Sequence, residues 1–306
     1  MYEFEAIGTH WWLERLDGGT FTDDIRESLE RYTAEFDQRY SRFRDDSLVA
    51  ELARTGKLSN PPKEMLDMLD YARKMFDVTD GAFTPSVGKD LEALGYGSST
   101  SSAKTYKATN SPKSLKRLNL FSSERAQGGK VLGKKIGVAS LRSFDEIVRW
   151  DEHTVIAPQG RMLDFGGFGK GWLIDEYVKI LRDHGATQFI VNGGGDLYVQ
   201  SETPVEFALE DPYDATKMIG SIKIQRGALA ASSTIKRSWE NDAGKQHHII
   251  DPKTGKPSES GVVASFVIAE TALIADVLAT VLIIRPELES AMREKYSISS
   301  KLIARI

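Results

Sequence analysis

The stretch "QFIVNGGGDLYVQ", residues 188–200, decides the fold class of this 306-residue chain. Its two ends, 188–192 and 196–200, are rich in the β-branched and aromatic residues that favour strands, and three glycines separate them. Glycine accepts the backbone conformations that a tight turn requires. The stretch therefore predicts two neighbouring strands joined by a turn, which is either a plain connection or part of a pocket wall.

Strands and helices are predicted on both sides of this hairpin. Helices are predicted from Thr22 to Tyr40, after Pro61-Pro62, over 169–184 (ending before Gly185) and over 271–284. Strands are predicted over 2–16 (ending in a hairpin turn at 17–19), around 131–157, and over 205–209, 220–225 and 262–269. Strands grouped as hairpins between helices predict an α+β fold rather than a βαβ series.

Residues 97–130 differ in character from the rest of the chain. They are rich in Ser, Thr and Lys and show no hydrophobic period, which is typical of a variable surface loop or insertion. The remaining pattern predicts one domain over residues 1–306.

Composition narrows the classes of function. The chain is 41% hydrophobic and 27% charged, which is ordinary for a globular protein, and its formal net charge is −4. That balance argues against non-specific nucleic-acid binding, which depends on Lys and Arg, so no nucleic-acid partner is expected. The chain has no cysteine, which excludes disulfides, thiolate nucleophiles and Cys-ligated metal centres.

The termini and the apolar runs predict a location. The N-terminal "MYEFEAIGTHWWLERL" shows no signal peptide, and there is no cysteine to lipidate. The longest apolar run, 271–284, is interrupted by Asp276 and is too short to span a membrane. We therefore expect a cytoplasmic protein without a direct membrane span, or an exported one if the sequence has been shortened at its N-terminus.

A glycine-rich strand-to-helix junction, "LDFGGFGKGWLID" at 163–175, is the first candidate for chemistry. Glycines allow the backbone to approach a ligand closely, and Lys170 with helix N–H groups would suit a phosphate or pyrophosphate. The stretch matches neither a Walker loop nor a dinucleotide-binding fingerprint. The alternative is a plain turn with a solvated lysine.

The segment "ADVLAT", 275–280, places Asp276 and Thr280 on one face of an otherwise apolar helix. A carboxylate there is costly unless it is paired or binds a metal, and oxygen donors of this kind suit Mg²⁺. The alternative is an Asp on the solvent face, with Thr280 bonded to its own helix.

Two further segments are candidates. "HHIIDPKTG", 247–255, offers His248 as a general base ahead of a turn, although a structural or surface histidine is the alternative. "GAFTPSVG", 81–88, is a loop of small and hydroxyl residues around Phe83 that either lines a pocket or is only a turn.

Taken together and in order, these segments resemble the ApbE family. The resemblance rests on "IGTH", "SRFRDDS", "GAFTPSVG", "LDFGGFGKGWLID", "VNGGGDL", "AASS", "HHIIDPKTG" and "ADVLAT", and it covers about residues 5–284 apart from 97–130. Members of this family are FAD:protein FMN transferases, formerly described as thiamine-biosynthesis lipoproteins.

The resemblance implies a fold and an activity. The fold would be α+β and T-fold-like, with two lobes and FAD in the cleft between them. The activity would be Mg²⁺-dependent transfer of the FMN half of FAD to a Thr or Ser hydroxyl of a target flavoprotein, such as a subunit of a membrane redox complex, with release of AMP. FAD would be the substrate and Mg²⁺ the cofactor.

The resemblance also implies roles for individual residues. Asp276 and Thr280 would bind the metal with their side chains, Gly167 would offer its backbone carbonyl, and His248 would be the catalytic histidine. The residues implied to contact FAD are Ile7, Phe43, Ala82, Phe83, Thr84, Asp164, Lys170 and Ile250.

The chain also departs from the family pattern. Ala231 and Ser233 stand where Thr and Gly are usual, Ile235 replaces a tyrosine, and Ile7 replaces a methionine. Thr84 replaces an aspartate, Ser86 a threonine, and Ala53 an asparagine. These departures leave two alternatives open: an FAD pyrophosphatase that gives FMN and AMP, and a non-catalytic FAD-binding protein.

Overall fold

The computed structural model describes residues 1–95, 116–117, 143–241 and 244–305. Its helices are α1 (Asp23–Tyr40), α2 (Leu48–Thr55), α3 (Lys63–Val78), α4 (Gly88–Ala93), α5 (Gly169–Asp183), α6 (Ala272–Ile284) and α7 (Glu289–Tyr296). Its strands up to the central hairpin are β1 (Tyr2–Ala6), β2 (Thr9–Arg15), β3 (Lys57–Ser59), β4 (Lys116–Arg117), β5 (Arg149–Trp150), β6 (Thr154–Ile156), β7 (Phe189–Gly193) and β8 (Asp196–Glu210). The later strands are β9 (Met218–Ser233), β10 (Ser238–Asn241), β11 (Gly244–His247), β12 (Ile250–Asp251), β13 (Lys256–Pro257), β14 (Val262–Ala269) and β15 (Ser299–Ala304).

A large sheet with the order β1-β2-β7-β8-β9-β14-β15 forms the frame of the molecule. All neighbours along this path are antiparallel, and the short β4 adds a parallel pair to β8. The β7–β8 hairpin at 189–210 forms around the glycine turn, with Gly193 opposite Asp196. The predicted α+β class is therefore confirmed.

The alternation of side chains along these strands divides the core between the two faces of the sheet. Val191 and Tyr198 point into the larger cluster with helices α1, α3, α5 and α6, whereas Ile190 and Leu197 point into a smaller cluster on the other face. Helix α6 packs against β9, β14 and α5, and ten of its thirteen residues are buried. Asp276 is therefore held inside the protein, with no solvent face available to it.

Helix ends follow the predicted signals. Thr22 caps α1 by accepting a hydrogen bond from the backbone N–H of Ile25, and Gly185 follows α5 with a φ of +74°. The helix predicted after Pro61-Pro62 is α3, and the one predicted over 271–284 is α6. All four predicted helices are confirmed.

Two predictions near the N-terminus are wrong. Residues 2–16 form two strands rather than one, because the chain reverses at Ile7 (φ 45°) and Gly8 (φ 70°). Residues 17–19 are not a hairpin turn: they lead from β2 to α1, and the Asp17 carboxylate is bound by Arg15 and by the Thr187 backbone N–H. A β-branched residue rarely adopts a left-handed backbone conformation, so nothing in residues 7–8 predicts a reversal there.

The strands predicted around 131–157 are found at β5 and β6, and residues 131–142 lie outside the described residues. The loop predicted over 97–130 also lies outside them, apart from β4. In the part of the chain that the structure describes, no helix is long and apolar enough to cross a membrane. Helices α2 and α7 and strand β15 were not predicted.

Candidate functional site

A cleft of about 560 Å³ is lined by residues from both the N-terminal and the C-terminal parts of the chain. Every residue that the sequence predicted for the site lines it: Ile7, Phe43, Ala82, Phe83, Thr84, Asp164, Gly167, Lys170, His248, Ile250, Asp276 and Thr280. Ile7 and Thr280, 273 positions apart in sequence, thus share one cavity. The roles of these residues in binding or catalysis remain predictions.

Two buried carboxylates, Asp196 and Asp276, and the half-buried Lys170 form what we call the charged cluster. The Lys170 ammonium lies 2.6 Å from Asp196 Oδ2 and 3.3 Å from each carboxylate oxygen of Asp276. Asp196 and Asp276 are 3% and 4% exposed. Neither alternative considered for these segments holds, because Lys170 is not a free solvated lysine and Asp276 is not on a solvent face.

Burial and charge oppose each other in this cluster. Burial disfavours the charged form of Lys170, but the carboxylates of Asp196 and Asp276 outweigh it and raise the Lys170 pKa above its usual value. Burial raises the pKa of Asp276, aided by the neighbouring Asp196 carboxylate and opposed by Lys170. The ammonium is therefore fully charged at neutral pH.

The glycine-rich junction lets α5 approach α6 closely enough to build this cluster. A Cβ on Gly171 would lie 2.6 Å from the Ala272 carbonyl oxygen, so only glycine fits there. With that contact made, the Gly171 N–H donates to Asp276 Oδ2 at 3.0 Å. The spacing of "GFGKG" thus serves helix packing and at the same time directs Lys170 toward the carboxylates.

The turn of the β7–β8 hairpin positions Asp196. Gly194 has a φ of +67°, and a Cβ there would lie 2.2 Å from Thr9 Oγ1, so the turn packs directly on the β1–β2 hairpin. The Ala231 N–H donates to Asp196 Oδ1 at 3.1 Å. The ambiguous "NGGGD" segment is therefore a wall of the cleft, and Asp196 is a site residue that the sequence interpretation missed.

The hydroxyl of Thr280 completes an oxygen-rich corner beside Asp276. Ser232 Oγ lies 3.0 Å from Thr280 Oγ1, and both residues line the cleft. Among the described residues, no group of three or more His, Cys, Asp or Glu side chains could hold a metal ion. Magnesium, however, needs only one or two protein carboxylates when substrate oxygens and water complete its shell, so the buried Asp276 carboxylate and the Thr280 hydroxyl one helical turn away fit it.

The adjacent histidines 247 and 248 have different surroundings. His247 is buried, with Nε2 3.2 Å from the Ser258 carbonyl oxygen, whereas His248 lines the cleft. Burial, followed by the positive charges of Arg237 and His247, lowers the pKa of His248 to about 3. His248 is therefore a neutral imidazole at physiological pH, and its Nδ1 lies 3.4 Å from the Arg237 carbonyl oxygen.

The turn after these histidines is fixed to the end of α6. The Arg285 guanidinium makes two 3.1 Å hydrogen bonds to the Asp251 carboxylate, and the Gly255 N–H donates to the Asp251 carbonyl at 2.8 Å. Lys253 forms an ion pair with Asp80. These contacts hold the cleft-lining Ile250 and Pro252 in place.

The uncharged lining residues Ile7, Phe43, Thr84 and Ala231 form what we call the neutral wall. Phe43 is 64% exposed, and the Arg42 guanidinium stacks 4.2 Å from the centre of its ring. Arg42 itself is buried and was not predicted for the site. Its Nε lies 2.9 Å from Asp164 Oδ2.

Asp164 has structural partners as well as a place in the lining. Besides its ion pair with Arg42, its carboxylate accepts the Gly166 N–H at 2.7 Å and so fixes the turn before α5. The departures from the family pattern fall into two groups, those that line the cleft and those that do not. Ile7, Thr84, Ala231 and Ser233 line the cleft, whereas Ala53, Ser86 and Ile235 are not among its lining residues.

The fold is shared with solved proteins. The structure of the ApbE protein from Thermotoga maritima matches with a TM-score of 0.77 and 21% identity, covering 99% of this chain and 93% of that chain. The flavinyl transferase ApbE from Pseudomonas stutzeri, in its apo form, matches with a TM-score of 0.76 and 19% identity, covering 100% of this chain and 90% of that chain. The class is thus an α+β protein of ApbE fold, as predicted.

The sequence identifies the family itself. A sequence model of the ApbE family matches residues 7–297, so this chain belongs to the ApbE family. A protein from Escherichia coli (strain K12) named FAD:protein FMN transferase is 23% identical over 299 residues, covering 93% of this chain and 78% of that protein. A protein of the same name from Klebsiella pneumoniae (strain 342) is 32% identical over 124 residues, a match that spans 39% of its length and 40% of this chain.

Proposed function

We propose that this protein is a transferase that uses FAD as substrate, moves its FMN moiety to a Thr or Ser hydroxyl of a target flavoprotein, and releases AMP with the help of Mg²⁺. The observation that supports the proposal most strongly is that the charged cluster, the Thr280 hydroxyl and the neutral His248 all line one cleft. Membership of a family whose curated relatives bear the name FAD:protein FMN transferase supports it.

Asp276 and Thr280 would hold the metal with their side chains and Gly167 with its carbonyl oxygen. All three line the same cleft, and oxygen donors are those that Mg²⁺ prefers. Bound there, Mg²⁺ would act as a Lewis acid toward the pyrophosphate oxygens.

Lys170 supplies the fixed positive charge for the pyrophosphate. Its ammonium is charged at neutral pH and is held by two carboxylates, so it needs no reorganisation when substrate arrives. Phosphoryl transfer depends mainly on such positioning and charge stabilisation. The acceptor oxygen bonds to the phosphorus on the FMN side, the pyrophosphate P–O bond breaks, and AMP leaves with the bridging oxygen.

His248 accepts the proton of the acceptor hydroxyl. A hydroxyl is a weak nucleophile until a base takes this proton, and a histidine with a pKa near 3 is unprotonated at physiological pH. With its proton on Nδ1, toward the Arg237 carbonyl oxygen, the imidazole carries its lone pair on Nε2. Burial is the largest cause of this low pKa, and an anionic pyrophosphate bound nearby would offset the further lowering by the positive charges of Arg237 and His247 and make His248 a stronger base.

The test uses the purified protein, FAD, Mg²⁺ and an acceptor protein carrying an Asp-x-x-Thr/Ser-x-Ala-Thr segment. We expect the intact mass of the acceptor to increase by one FMN phosphoester, with flavin fluorescence on the acceptor band. An acceptor whose Thr or Ser is replaced by Ala serves as the control and should stay unmodified. No mass gain on any acceptor, with FAD and Mg²⁺ present, contradicts the proposal.

The same cleft would also serve an FAD pyrophosphatase, in which water replaces the acceptor hydroxyl. The observation that favours it is Thr84, whose uncharged side chain lines the cleft where the family pattern has an aspartate. An arm without acceptor distinguishes the activities: FMN and AMP accumulate if water competes, and FAD stays intact if transfer is strict. If FAD binds but is never cleaved, with or without acceptor, the protein is a non-catalytic FAD binder.

A further inference from the structure

In the charged cluster, the carboxylates of Asp196 and Asp276 compete for the ammonium of Lys170. Lys170 Nζ lies 2.6 Å from Asp196 and 3.3 Å from both oxygens of Asp276, so it is bound most closely by Asp196 and only partly by Asp276. Within the cluster the two carboxylates exceed the ammonium by one negative charge, and Arg237, which also lines the cleft, is a further positive charge that acts on Lys170. An excess negative charge in a buried place attracts a further cation.

Asp196 is fixed where it is. It is 3% exposed, it begins β8 directly after the glycine turn, and its other oxygen accepts the Ala231 N–H at 3.1 Å. Asp276 is also bound to backbone, by the Gly171 N–H. Both carboxylates hold the Lys170 ammonium, so removal of one of them shifts the balance toward the other.

We propose that Asp196 is a positioning residue that holds the Lys170 ammonium away from Asp276 and thereby keeps Asp276 available to a divalent cation. This rests on the proposed function, which places that cation at Asp276. Without Asp196, Lys170 has Asp276 as its remaining carboxylate partner in the cluster. The ammonium then competes for the carboxylate that the metal requires, and the excess negative charge is lost.

Opposite effects on metal affinity follow for the two partners of this ion pair. Asp196→Asn keeps the shape of the side chain and removes its charge, so we expect the affinity for a divalent cation to fall about 10- to 100-fold. Lys170→Met removes the competing ammonium, so the affinity rises although a residue of the site has been lost. The double variant again has one excess negative charge and should bind close to the wild-type affinity.

The experiment measures Mn²⁺ binding to the FAD-free protein by electron paramagnetic resonance of the free ion. The variants are Asp196→Asn, Lys170→Met, their combination, Asp276→Ala, and Asp196→Glu as a conservative rescue that should retain most of the affinity. Asp17→Asn is the matched control, because Asp17 is a half-buried carboxylate in an ion pair but is not among the cleft-lining residues. Thermal melting of each variant verifies folding.

We expect Lys170→Met to bind Mn²⁺ most tightly. Wild type and the double variant should bind with similar, lower affinity, and Asp196→Asn should bind more weakly than both. If wild type binds Mn²⁺, Asp276→Ala abolishes binding, and Asp196→Asn equals wild type, the positioning role is overturned and the metal site stands. If Lys170→Met does not fold, the fall in Asp196→Asn with rescue by Asp196→Glu carries the test. A wild-type protein that binds no Mn²⁺, either alone or in the presence of FAD, overturns the metal site and the positioning role together.

Discussion

The charged cluster and the neutral wall line the same cleft but respond differently to change. In the cluster, the buried carboxylates of Asp196 and Asp276 both bind the half-buried Lys170, so loss of any one of the three changes the balance of charge inside the protein. In the wall, Phe43 and Thr84 are neutral, and replacing them leaves no unpaired charge. The departures from the family pattern that reach the cleft include Thr84 and Ala231 of the wall and none of the cluster. Because the cluster contains buried charge and the wall does not, we expect substitutions in the cluster to cost more than substitutions in the wall.

The sharpest way to break this comparison is to remove the carboxylate of Asp276. We expect Asp276→Ala to lower the rate of FAD cleavage by at least about 1,000-fold, because it removes the proposed metal ligand and the partner of the Gly171 N–H. Initial rates of AMP formation measure this. Asp37→Ala, a more exposed lining carboxylate paired with Arg44, is the control and should stay within tenfold of wild type by the same order-of-magnitude reasoning. Comparable losses in the two variants would contradict the distinction.

His248 tests the proton-transfer step separately from binding. We expect His248→Ala to slow transfer to the acceptor about 100- to 1,000-fold, with little change in FAD affinity, because general-base catalysis contributes to the rate rather than to binding. Single-turnover rates and an FAD titration measure the two quantities. His153→Ala, on the exposed β5–β6 connection, is the control. A rate close to that of wild type in His248→Ala would remove the histidine from the reaction.

The turn at residues 251–255 is held by a half-buried ion pair. Substitutions there should therefore cost less than those in the charged cluster and more than those in the neutral wall. We expect Arg285→Ala to lower the free energy of unfolding by about 1–2 kcal/mol, because two charge-assisted hydrogen bonds to Asp251 are lost. The KM for FAD should rise as Ile250 and Pro252 lose their support, with kcat less affected. Urea unfolding and steady-state kinetics measure both. Lys253→Ala removes a more exposed pair and should change stability by less than about 0.5 kcal/mol.

Asp90, a buried carboxylate outside the cluster, extends the comparison to the dependence of stability on pH. Burial raises the pKa of Asp90 from its usual 3.8 to about 6, partly offset by Arg161, and Asp90 Oδ2 has no hydrogen-bond partner among the described residues. Between those values the folded protein binds more protons than the unfolded chain, so this group lowers stability as pH rises from about 4 to 6.

Asp90→Asn removes that dependence. We expect its stability relative to wild type to improve by about 1–3 kcal/mol between pH 4 and pH 7, with unchanged FAD cleavage. Urea unfolding at the two pH values measures the difference, and Asp145→Asn, an exposed carboxylate, is the control. A constant difference between Asp90→Asn and wild type at both pH values would contradict the account.

The smallest effects should come from the neutral wall. We expect Phe43→Ala to raise the KM for FAD less than tenfold and to leave the free energy of unfolding within about 0.5 kcal/mol, because its ring is mostly exposed. Kinetics with FAD and thermal melting measure this. A loss as large as that of Asp276→Ala would mean that the wall is as constrained as the charged cluster.

Local signals carried much of the sequence prediction. The hairpin at 188–200, the cap at Thr22 and the helix end at Gly185 follow from short-range preferences, and the structure confirms them. The resemblance to a family brought distant segments together, and every predicted site residue lines the cleft. The meeting of Asp276 and Lys170 in the cleft could not be predicted from their spacing, because the two residues come together only through tertiary packing.

What the sequence did not indicate depends on three-dimensional contacts. Asp196 was read only as the end of a glycine turn, because its partner Lys170 lies 26 positions away, on a different element. Arg42 was hidden in "SRFRDDS", where nothing marks it as buried against Asp164. The reversal at Ile7 was not predicted, because a β-branched residue with positive φ is strained and no turn signature precedes it in the sequence.

The most direct test of the central claim is the stoichiometry of AMP release against flavinylated acceptor, measured by chromatography and intact mass for wild type and Asp276→Ala, with and without Mg²⁺. The account predicts one AMP for each modified acceptor in wild type with Mg²⁺, and neither product when Mg²⁺ or the Asp276 carboxylate is absent. Equal product formation with and without the Asp276 carboxylate would show that the charged cluster is not the centre of the reaction.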